Sequence, residues 1–180
     1  MAIAPPLRAS RCDGIAIDPE LARLRDTLPR PLVFTNGVFD LLHAGHVACL
    51  EAARGQGASL VVGVNSDASA RRLRKGPGRP INTAEDRARV LAGLWSVDAV
   101  IVFDEDKPLA LICALRPEVY VKGGDYEPAR LAEAALMAEW GGRTTIVPRL
   151  PDLSTTALVE RVRRPWVPRA APGSGAWIEP

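Results

Sequence analysis

The chain has 180 residues, 47% of them hydrophobic and 24% charged, which is the composition of one compact domain and not of a disordered chain. The net charge of +2 excludes a strongly basic nucleic-acid binder, and no apolar run approaches the ~20 residues of a membrane-spanning helix. Because residues 1–10 also lack the apolar stretch of a signal peptide, the sequence predicts a cytoplasmic protein without nucleic-acid or membrane partners.

The chain divides into three parts by its hydrophobic patterning. Residues 1–30 are weakly patterned and predict a leader with one short helix over residues 19–27. Residues 31–164 are regularly patterned and predict one folded domain. Residues 165–180 are rich in proline, glycine and alanine, so we expect a flexible C-terminal tail.

Short apolar runs alternate with segments of helical period throughout the domain. The runs at 32–35, 59–64, 99–103, 118–121 and 144–147 predict buried strands. Helices are predicted at 46–56, 84–95, 108–115, 128–140 and 154–163. This order indicates an α/β fold, a Rossmann-like open five-stranded parallel sheet with helices on both faces. In such sheets ligands bind beyond the carboxyl ends of the strands.

The three cysteines, Cys12, Cys49 and Cys113, have no metal-binding spacing. Cys49 and Cys113 fall in apolar helical patterns, which is typical of buried thiols. We therefore expect no disulfide.

The two histidines of the chain, His43 and His46, follow the first predicted strand and open a helix. A single histidine there would be interpreted as structural, but a pair at a helix N-terminus favours phosphate binding, since that end presents unpaired N–H groups. Gly37 permits a tight turn and Gly45 a close approach by a ligand. Neither the dinucleotide pattern G-x-G-x-x-G nor the P-loop pattern G-x-x-x-x-G-K-[ST] is present here.

The run T-N-G-V-F-D-L-L-H-A-G-H, residues 35–46, resembles the signature of the cytidylyltransferase-like nucleotidyltransferases. The resemblance implies that His43 and His46 bind the triphosphate and stabilise the transition state. It also implies nucleotide contacts from the rest of the run, at Thr35, Asn36, Gly37, Phe39 and Gly45. Asp40 is predicted to contact substrate or to act as a turn residue.

Four further segments, at 64–67, 78–82, 121–126 and 153–156, resemble the heptose-phosphate adenylyltransferases within that family. Together the similarity covers residues 31–163. It implies a catalytic role for Lys122 and nucleotide or phosphate contacts from Lys75, Gly123, Asp125, Ser154, Thr155 and Thr156. Substrate contacts are implied for Asn65, Arg79, Arg87 and Tyr126. Arg149 departs from this pattern, since it resembles a phosphate-contacting arginine of glycerol-3-phosphate cytidylyltransferase that is not expected throughout the heptose enzymes.

Several of these residues also have purely structural interpretations. The arginine run at 71–79 can be a solvated basic face, although its Gly-Pro-Gly favours a loop that closes over phosphates. Arg87 can lie on a helix surface, the Gly123-Gly124 pair can form an ordinary turn, and Ser154 can be a helix N-cap.

The resemblance implies transfer of AMP from ATP to D-glycero-β-D-manno-heptose 1-phosphate, which gives ADP-heptose and pyrophosphate for lipopolysaccharide core synthesis. Mg²⁺ would arrive with ATP, no dedicated metal site is expected, and the protein would form a homodimer or larger homo-oligomer. Only about 30 residues precede the first strand, so a separate kinase would supply the sugar phosphate.

Three alternatives remain open from the sequence. The first is a cytidylyltransferase acting on a polyol or amino-alcohol phosphate. The second is a fragment of a class I aminoacyl-tRNA synthetase, which the near-neutral charge and short length oppose. The third is a non-catalytic nucleotide-binding protein, which the intact histidine pair and Lys122 oppose.

Overall fold

The computed structural model describes residues 12, 18–74, 76–148 and 153–164, and within them the strands form one parallel five-stranded sheet. The strand order is β3-β2-β1-β4-β5. The strands are β1 (Leu32–Gly37), β2 (Ser59–Asn65), β3 (Ala99–Phe103), β4 (Val119–Gly123) and β5 (Arg143–Val147). The α-helices are α1 (Pro19–Thr27), α2 (Ala44–Arg54), α3 (Asp67–Arg72), α4 (Ala84–Ala92), α5 (Leu109–Leu115), α6 (Ala132–Met137) and α7 (Thr155–Arg163). The predicted fold class is confirmed.

The order of the strands reverses at β1, which pairs with β2 on one side and β4 on the other. The chain moves outward from β1 to β3, returns, and then adds β4 and β5 on the opposite side. Such a reversal leaves a crevice at the carboxyl ends of the two central strands. The crevice therefore lies where β1 ends at Gly37 and β4 ends at Gly123.

Alternate side chains of the central strands divide the core into two layers. Leu32 and Phe34 of β1 pack with helix α5, whereas Val33 packs with Leu50 of α2 and Leu91 of α4. This period of two is expected for strands that are covered on both faces. The predicted two-sided helix cover is thus confirmed. None of the described helices is long and apolar enough to cross a membrane.

The predicted helix over 128–140 is wrong as one continuous element. The segment begins with a 3₁₀ turn, Pro128–Arg130. Leu131 follows in an extended conformation, with a ψ of 124°, and is the N-cap of α6. A second 3₁₀ turn, Ala138–Trp140, follows α6. Trp140 donates its indole N–H to the oxygen of Pro117 at 2.9 Å, which holds this last turn against the sheet. Apolar periodicity cannot show a single extended residue, so the break was not predicted.

Helix α3 was also not predicted, because it has only six residues. Its N-cap Ser66 accepts a hydrogen bond from the backbone N–H of Ser69 at 3.0 Å. The other predicted elements are present with ends shifted by a few residues, and the leader helix over 19–27 matches α1. The predicted tail and the leader residues 1–11 and 13–17 lie outside the described residues.

A disulfide joins Cys12 to Cys113, so the predictions of no disulfide and of a Cys113 thiol are wrong. The two cysteines are 101 residues apart in sequence, and spacing alone could not pair them. They meet because Leu21, Leu24 and Leu28 pack α1 against the same core layer as α5, which carries Cys113. Cys49 remains a thiol and is half-buried.

The disulfide should stabilise the fold, because it closes a long loop and restricts the unfolded chain. We expect Cys12→Ser to lower the free energy of unfolding by about 2–4 kcal/mol in urea denaturation. Under dithiothreitol the original protein should lose the same amount and the variant should not change further. Peptide mapping that finds free thiols at both Cys12 and Cys113 would contradict the pairing.

Candidate active site

The loop from β1 to α2 places an aromatic ring beside the second histidine. Phe39 has a φ of 49°, in the left-handed region that a bulky side chain rarely adopts. A Cβ on Gly37 would lie 3.0 Å from the Phe39 ring, so glycine allows the ring to fold back over the strand end. The ring then contacts His46 edge to face, with centroids 5.2 Å apart. The loop conformation thus positions His46.

His43 and His46 stack on each other at the start of α2, with ring centroids 3.7 Å apart and planes 24° apart. His43 is the N-cap, and its carbonyl accepts from the N–H of His46 at 2.8 Å. Its buried Nδ1 has no hydrogen-bond partner among the described residues. Burial lowers the pKa of His43 from its ordinary value, so at neutral pH the imidazole is uncharged.

Gly45 allows three parts of the site to come together. A Cβ at this position would lie 3.1 Å from the His43 ring and 3.2 Å from Cβ of Leu153. Leu153 directly precedes Ser154, the N-cap of α7, whose Oγ accepts from the N–H of Ala157 at 3.1 Å. The N-termini of α2 and α7 therefore lie side by side. Each presents N–H groups and a partial positive charge, which suits an anion.

Lys122 lies at the end of β4 beside Asn36 of β1. The ammonium donates to Oδ1 of Asn36 at 3.3 Å, and the Tyr120 hydroxyl donates to the same oxygen at 2.8 Å. Nζ of Lys122 is also 5.8 Å from the Tyr120 ring centroid and 5.7 Å from that of Tyr126. The cation is therefore held at the crevice between the two central strands.

The loop after β4 contacts both α2 and β5. A Cβ on Gly123 would lie 2.9 Å from Sγ of Cys49, so glycine permits this close packing against α2. Gly124 has a φ of 128° and donates its N–H to the oxygen of Val147 at 2.9 Å. Asp125 follows and is exposed. Gly123 and Gly124 thus form the turn that the sequence allowed, and the site roles of Gly123 and Asp125 remain predictions.

Asp40 is a buried acceptor that holds the segment 79–82 against the loop from β1 to α2, residues 38–43, called the histidine loop below. Its carboxylate accepts from the Arg79 guanidinium and from the backbone N–H groups of Ile81 at 2.6 Å and Asn82 at 3.1 Å. The Asn82 side chain donates back to the Asp40 carbonyl at 2.9 Å. Asp40 is 2% exposed. This geometry supports the interpretation of Asp40 as a turn residue.

Arg87 is buried and makes three hydrogen bonds within the protein. Its guanidinium donates to the carbonyl of Val38 at 2.6 Å, the carbonyl of Asn82 at 3.1 Å and the carboxylate of Asp67 at 2.7 Å. It therefore joins the loop after β1 and the first residue of α3 to the segment that leads into α4. The interpretation of Arg87 as a residue on a helix surface is wrong.

Other predicted site residues also have protein partners. Thr35 Oγ1 donates to the carbonyl of Val121 at 2.8 Å, and Asn65 Nδ2 donates to Oγ of Ser69 at 2.9 Å. Thr155 is half-buried and Thr156 exposed at the start of α7. Lys75 and Arg149 lie outside the described residues. The ligand contacts of all these residues stay predictions.

A pocket of about 250 Å³ adjoins the histidine loop. It is mostly apolar with a few polar side chains, as small-molecule sites are. Its lining residues are Phe39, Asp40, Leu41, Leu42, Asn82, Arg87, Val90 and Leu91. Among the described residues no group of three or more His, Cys, Asp or Glu side chains could hold a metal ion.

Sequence reasoning missed Tyr120 and the pairing of Asp67 with Arg87. Tyr120 occupies a position in a buried apolar strand, where a tyrosine gives no sequence signal of a polar role. Asp67 lies in segment 64–67, but its partner Arg87 is 20 residues further along the chain. Neither partnership has a sequence signal that could have found it.

Residues 34–161 match the family model described as cytidylyltransferase-like. The chain belongs to the cytidylyltransferase-like family of nucleotidyltransferases. It is 56% identical over 137 residues to the D-beta-D-heptose 1-phosphate adenylyltransferase of Bordetella bronchiseptica, a region that is 76% of this chain and 85% of that enzyme. The resemblance that the sequence indicated is confirmed.

A second similar protein is longer. The Bifunctional protein HldE of Streptomyces coelicolor is 58% identical over 130 residues, which is 72% of this chain but only 28% of HldE. Among solved structures, the lipopolysaccharide core biosynthesis protein of Thermoplasma volcanium is 30% identical with a TM-score of 0.54, over 66% of this chain and 95% of that one. Pantothenate synthetase of Thermus thermophilus, 20% identical with a TM-score of 0.51, over 78% of this chain and 68% of that one, shares the fold.

The Asp40 carboxylate should be needed for the stability of this region. In Asp40→Asn one oxygen becomes an NH₂ group that faces a donor, so we expect the free energy of unfolding to fall by about 2 kcal/mol in urea denaturation. The control is Glu85→Gln, an exposed carboxylate in α4, which should change stability by less than about 0.5 kcal/mol. Equal stability of Asp40→Asn and the original protein would contradict this role.

Proposed function

We propose that this protein transfers AMP from ATP to D-glycero-β-D-manno-heptose 1-phosphate and releases pyrophosphate. The observation that carries the proposal is the stacked His43–His46 pair at the N-terminus of α2, at the crevice between β1 and β4. It occurs in a chain that aligns with 85% of an enzyme named for heptose 1-phosphate adenylyl transfer.

The reaction needs no covalent enzyme intermediate. A phosphate oxygen of the sugar phosphate attacks the α-phosphorus of ATP, a new P–O bond forms, and the bond to the β-phosphate oxygen breaks with its electron pair on pyrophosphate. The attacking group is already an anion, so no general base is required. Catalysis therefore comes from positioning the two substrates and from neutralising the charge on the phosphates.

His43 and His46 would donate hydrogen bonds to phosphate oxygens as charge develops. A neutral imidazole carries one N–H donor, and the lowered pKa of His43 keeps that residue neutral in the absence of ligand. The first N–H groups of α2 add further donors. Phe39 and the backbone around Gly37 and Gly45 fix the rings where this contact is possible.

Lys122 and the N-terminus of α7 would neutralise the remaining charge of the triphosphate. Lys122 supplies a full positive charge beside Asn36. Ser154, Thr155 and Thr156 bring hydroxyl groups and helix N–H donors next to the α2 N-terminus, a combination suited to phosphate oxygens. Gly123 and Asp125 are proposed to contact the nucleotide from the end of β4 and the turn after it. A nucleotide contact by Lys75 is proposed from the sequence resemblance.

Mg²⁺ would enter bound to ATP and neutralise part of its charge. Carboxylates often supply only one or two of the Mg²⁺ ligands in such sites. The Asp40 oxygens already accept hydrogen bonds from segment 79–82, which supports a positioning role for Asp40 in place of a ligand role.

The sugar phosphate would bind on the side of segment 79–82. Asn65, Arg79 and Arg87 are proposed to shape this side, with Arg87 acting through the segments that it joins. Tyr126, whose ring lies beside Lys122, is proposed to contact the substrate from the end of β4. The product, ADP-heptose, would serve lipopolysaccharide core synthesis, the process for which the similar Thermoplasma volcanium protein is named. A cytoplasmic location and a homodimeric or larger homo-oligomeric state are part of this proposal.

A substrate grid tests the assignment. Pyrophosphate release should be measured for ATP, CTP, GTP and UTP, each with heptose 1-phosphate, glycerol 3-phosphate and phosphoethanolamine. We expect release with ATP and heptose 1-phosphate, at least tenfold above every other pair. Activity confined to CTP with a polyol or amino-alcohol phosphate would replace the proposal with the cytidylyltransferase alternative, and no release with any pair would leave a non-catalytic protein.

His46→Ala should lower kcat by roughly 10²-fold or more, the scale of losing one preorganised donor to a transition-state oxyanion. The thermal unfolding midpoint should be nearly unchanged. Glu51→Gln, an exposed residue on the same helix, is the control and should keep full activity. A kcat of His46→Ala within a factor of two of the original would remove His46 from the mechanism.

A further inference from the structure

Tyr120 is fully buried in β4 and lies on the same face of the sheet as Lys122. Alternate strand residues share a face, so Tyr120 and Lys122 point to one side, and the β1–β4 register puts Phe34 opposite Tyr120. The Phe34 and Tyr120 rings stack with centroids 6.1 Å apart. The apolar surroundings account for an aromatic ring here, but a phenylalanine would serve the packing equally well.

The hydroxyl of Tyr120 has a specific polar partner. It lies 2.8 Å from Oδ1 of Asn36, which also receives the Lys122 ammonium at 3.3 Å. An ammonium group only donates hydrogen bonds, so the amide atom that faces Lys122 must be the oxygen. The Tyr120 hydroxyl is therefore the donor to that oxygen. The two donors together fix the orientation of the Asn36 amide.

The two hydrogen bonds to Oδ1 also determine where the NH₂ group of the Asn36 amide points. With Oδ1 of Asn36 turned toward Tyr120 and Lys122, its Nδ2 group is turned the other way. Asn36 directly precedes Gly37 and the histidine loop, at the carboxyl end of β1. Burial, with a smaller contribution from the charge of Glu133, raises the pKa of Tyr120 from its ordinary value, so the hydroxyl keeps its proton.

We propose that Tyr120 is a positioning residue, whose buried hydroxyl orients the Asn36 amide and, through its oxygen, the Lys122 ammonium for contact with the triphosphate. Tyr120 is 0% exposed and cannot itself touch a ligand. Its effect on the reaction must therefore pass through Asn36 and Lys122. The inference rests on the proposed function, since it assigns these two residues to the nucleotide.

Tyr120→Phe tests the inference, because it removes the hydroxyl and keeps the ring over which Lys122 lies. We expect kcat/KM for ATP to fall about tenfold, the effect of one misplaced hydrogen-bonding group, while KM for the sugar phosphate stays within a factor of two. In an Asn36→Ala background the same substitution should have no further effect, because the hydroxyl then has no amide to orient.

Phe34→Leu is the matched control for packing, since it disturbs the same ring stack without removing a polar group. It should lower the thermal unfolding midpoint without a selective loss in kcat/KM for ATP. An unchanged kcat/KM for ATP in Tyr120→Phe, or a full additional tenfold loss in the Asn36→Ala background, would overturn the inference.

Binding measurements separate failure of this inference from failure of the proposed function. If the original protein releases no pyrophosphate from ATP, the adenylyl-transfer proposal fails. Calorimetric binding of a non-hydrolysable ATP analogue then tests the hydrogen bonds of Tyr120 and Lys122 to Asn36. The inference is supported if Tyr120→Phe weakens binding of the analogue in the original protein but causes no further weakening in the Asn36→Ala background. Equal binding by Tyr120→Phe and the original protein overturns it.

If Tyr120→Phe does not fold, NMR of the unmodified protein decides. A slowly exchanging Tyr120 hydroxyl proton close to the Asn36 side chain supports the hydrogen bond, and its absence overturns the inference.

Discussion

The parallel pairing of β1 with β2 on one side and β4 on the other is the constraint on which the site depends. Because all the strands run the same way, their carboxyl ends meet at one edge, and the reversal of direction at β1 opens a crevice there. This pairing brings Asn36, Lys122 and the start of the histidine loop together. Helices α2 and α7 then add their N-termini from the next layer of the fold.

The sequence predicted the fold class and the central elements well, since buried parallel strands are short, continuously apolar and separated by helical periods. The histidine pair was predictable because two rare side chains followed a strand and opened a helix. The break at Leu131 and the short helix α3 were not, since each depends on one or two residues whose conformation periodicity does not encode.

The partners of buried polar groups were the least predictable part of the molecule. Cys12 pairs with Cys113, Arg87 with Asp67, and Tyr120 with Asn36, at sequence separations of 101, 20 and 84 residues. Such contacts are set by how the elements pack and have no local pattern. As a result Arg87, for which the sequence suggested a substrate contact or a place on a helix surface, joins three separate segments within the protein.

The close approach of α2 and α7 at Gly45 carries an electrostatic cost. Two helix N-termini, each with a partial positive charge, lie next to one another and close to the end of β4, which carries Lys122. Their mutual repulsion is unfavourable until a polyanion lies between them. A polyanion bound at this contact would offset the repulsion and so stabilise the fold.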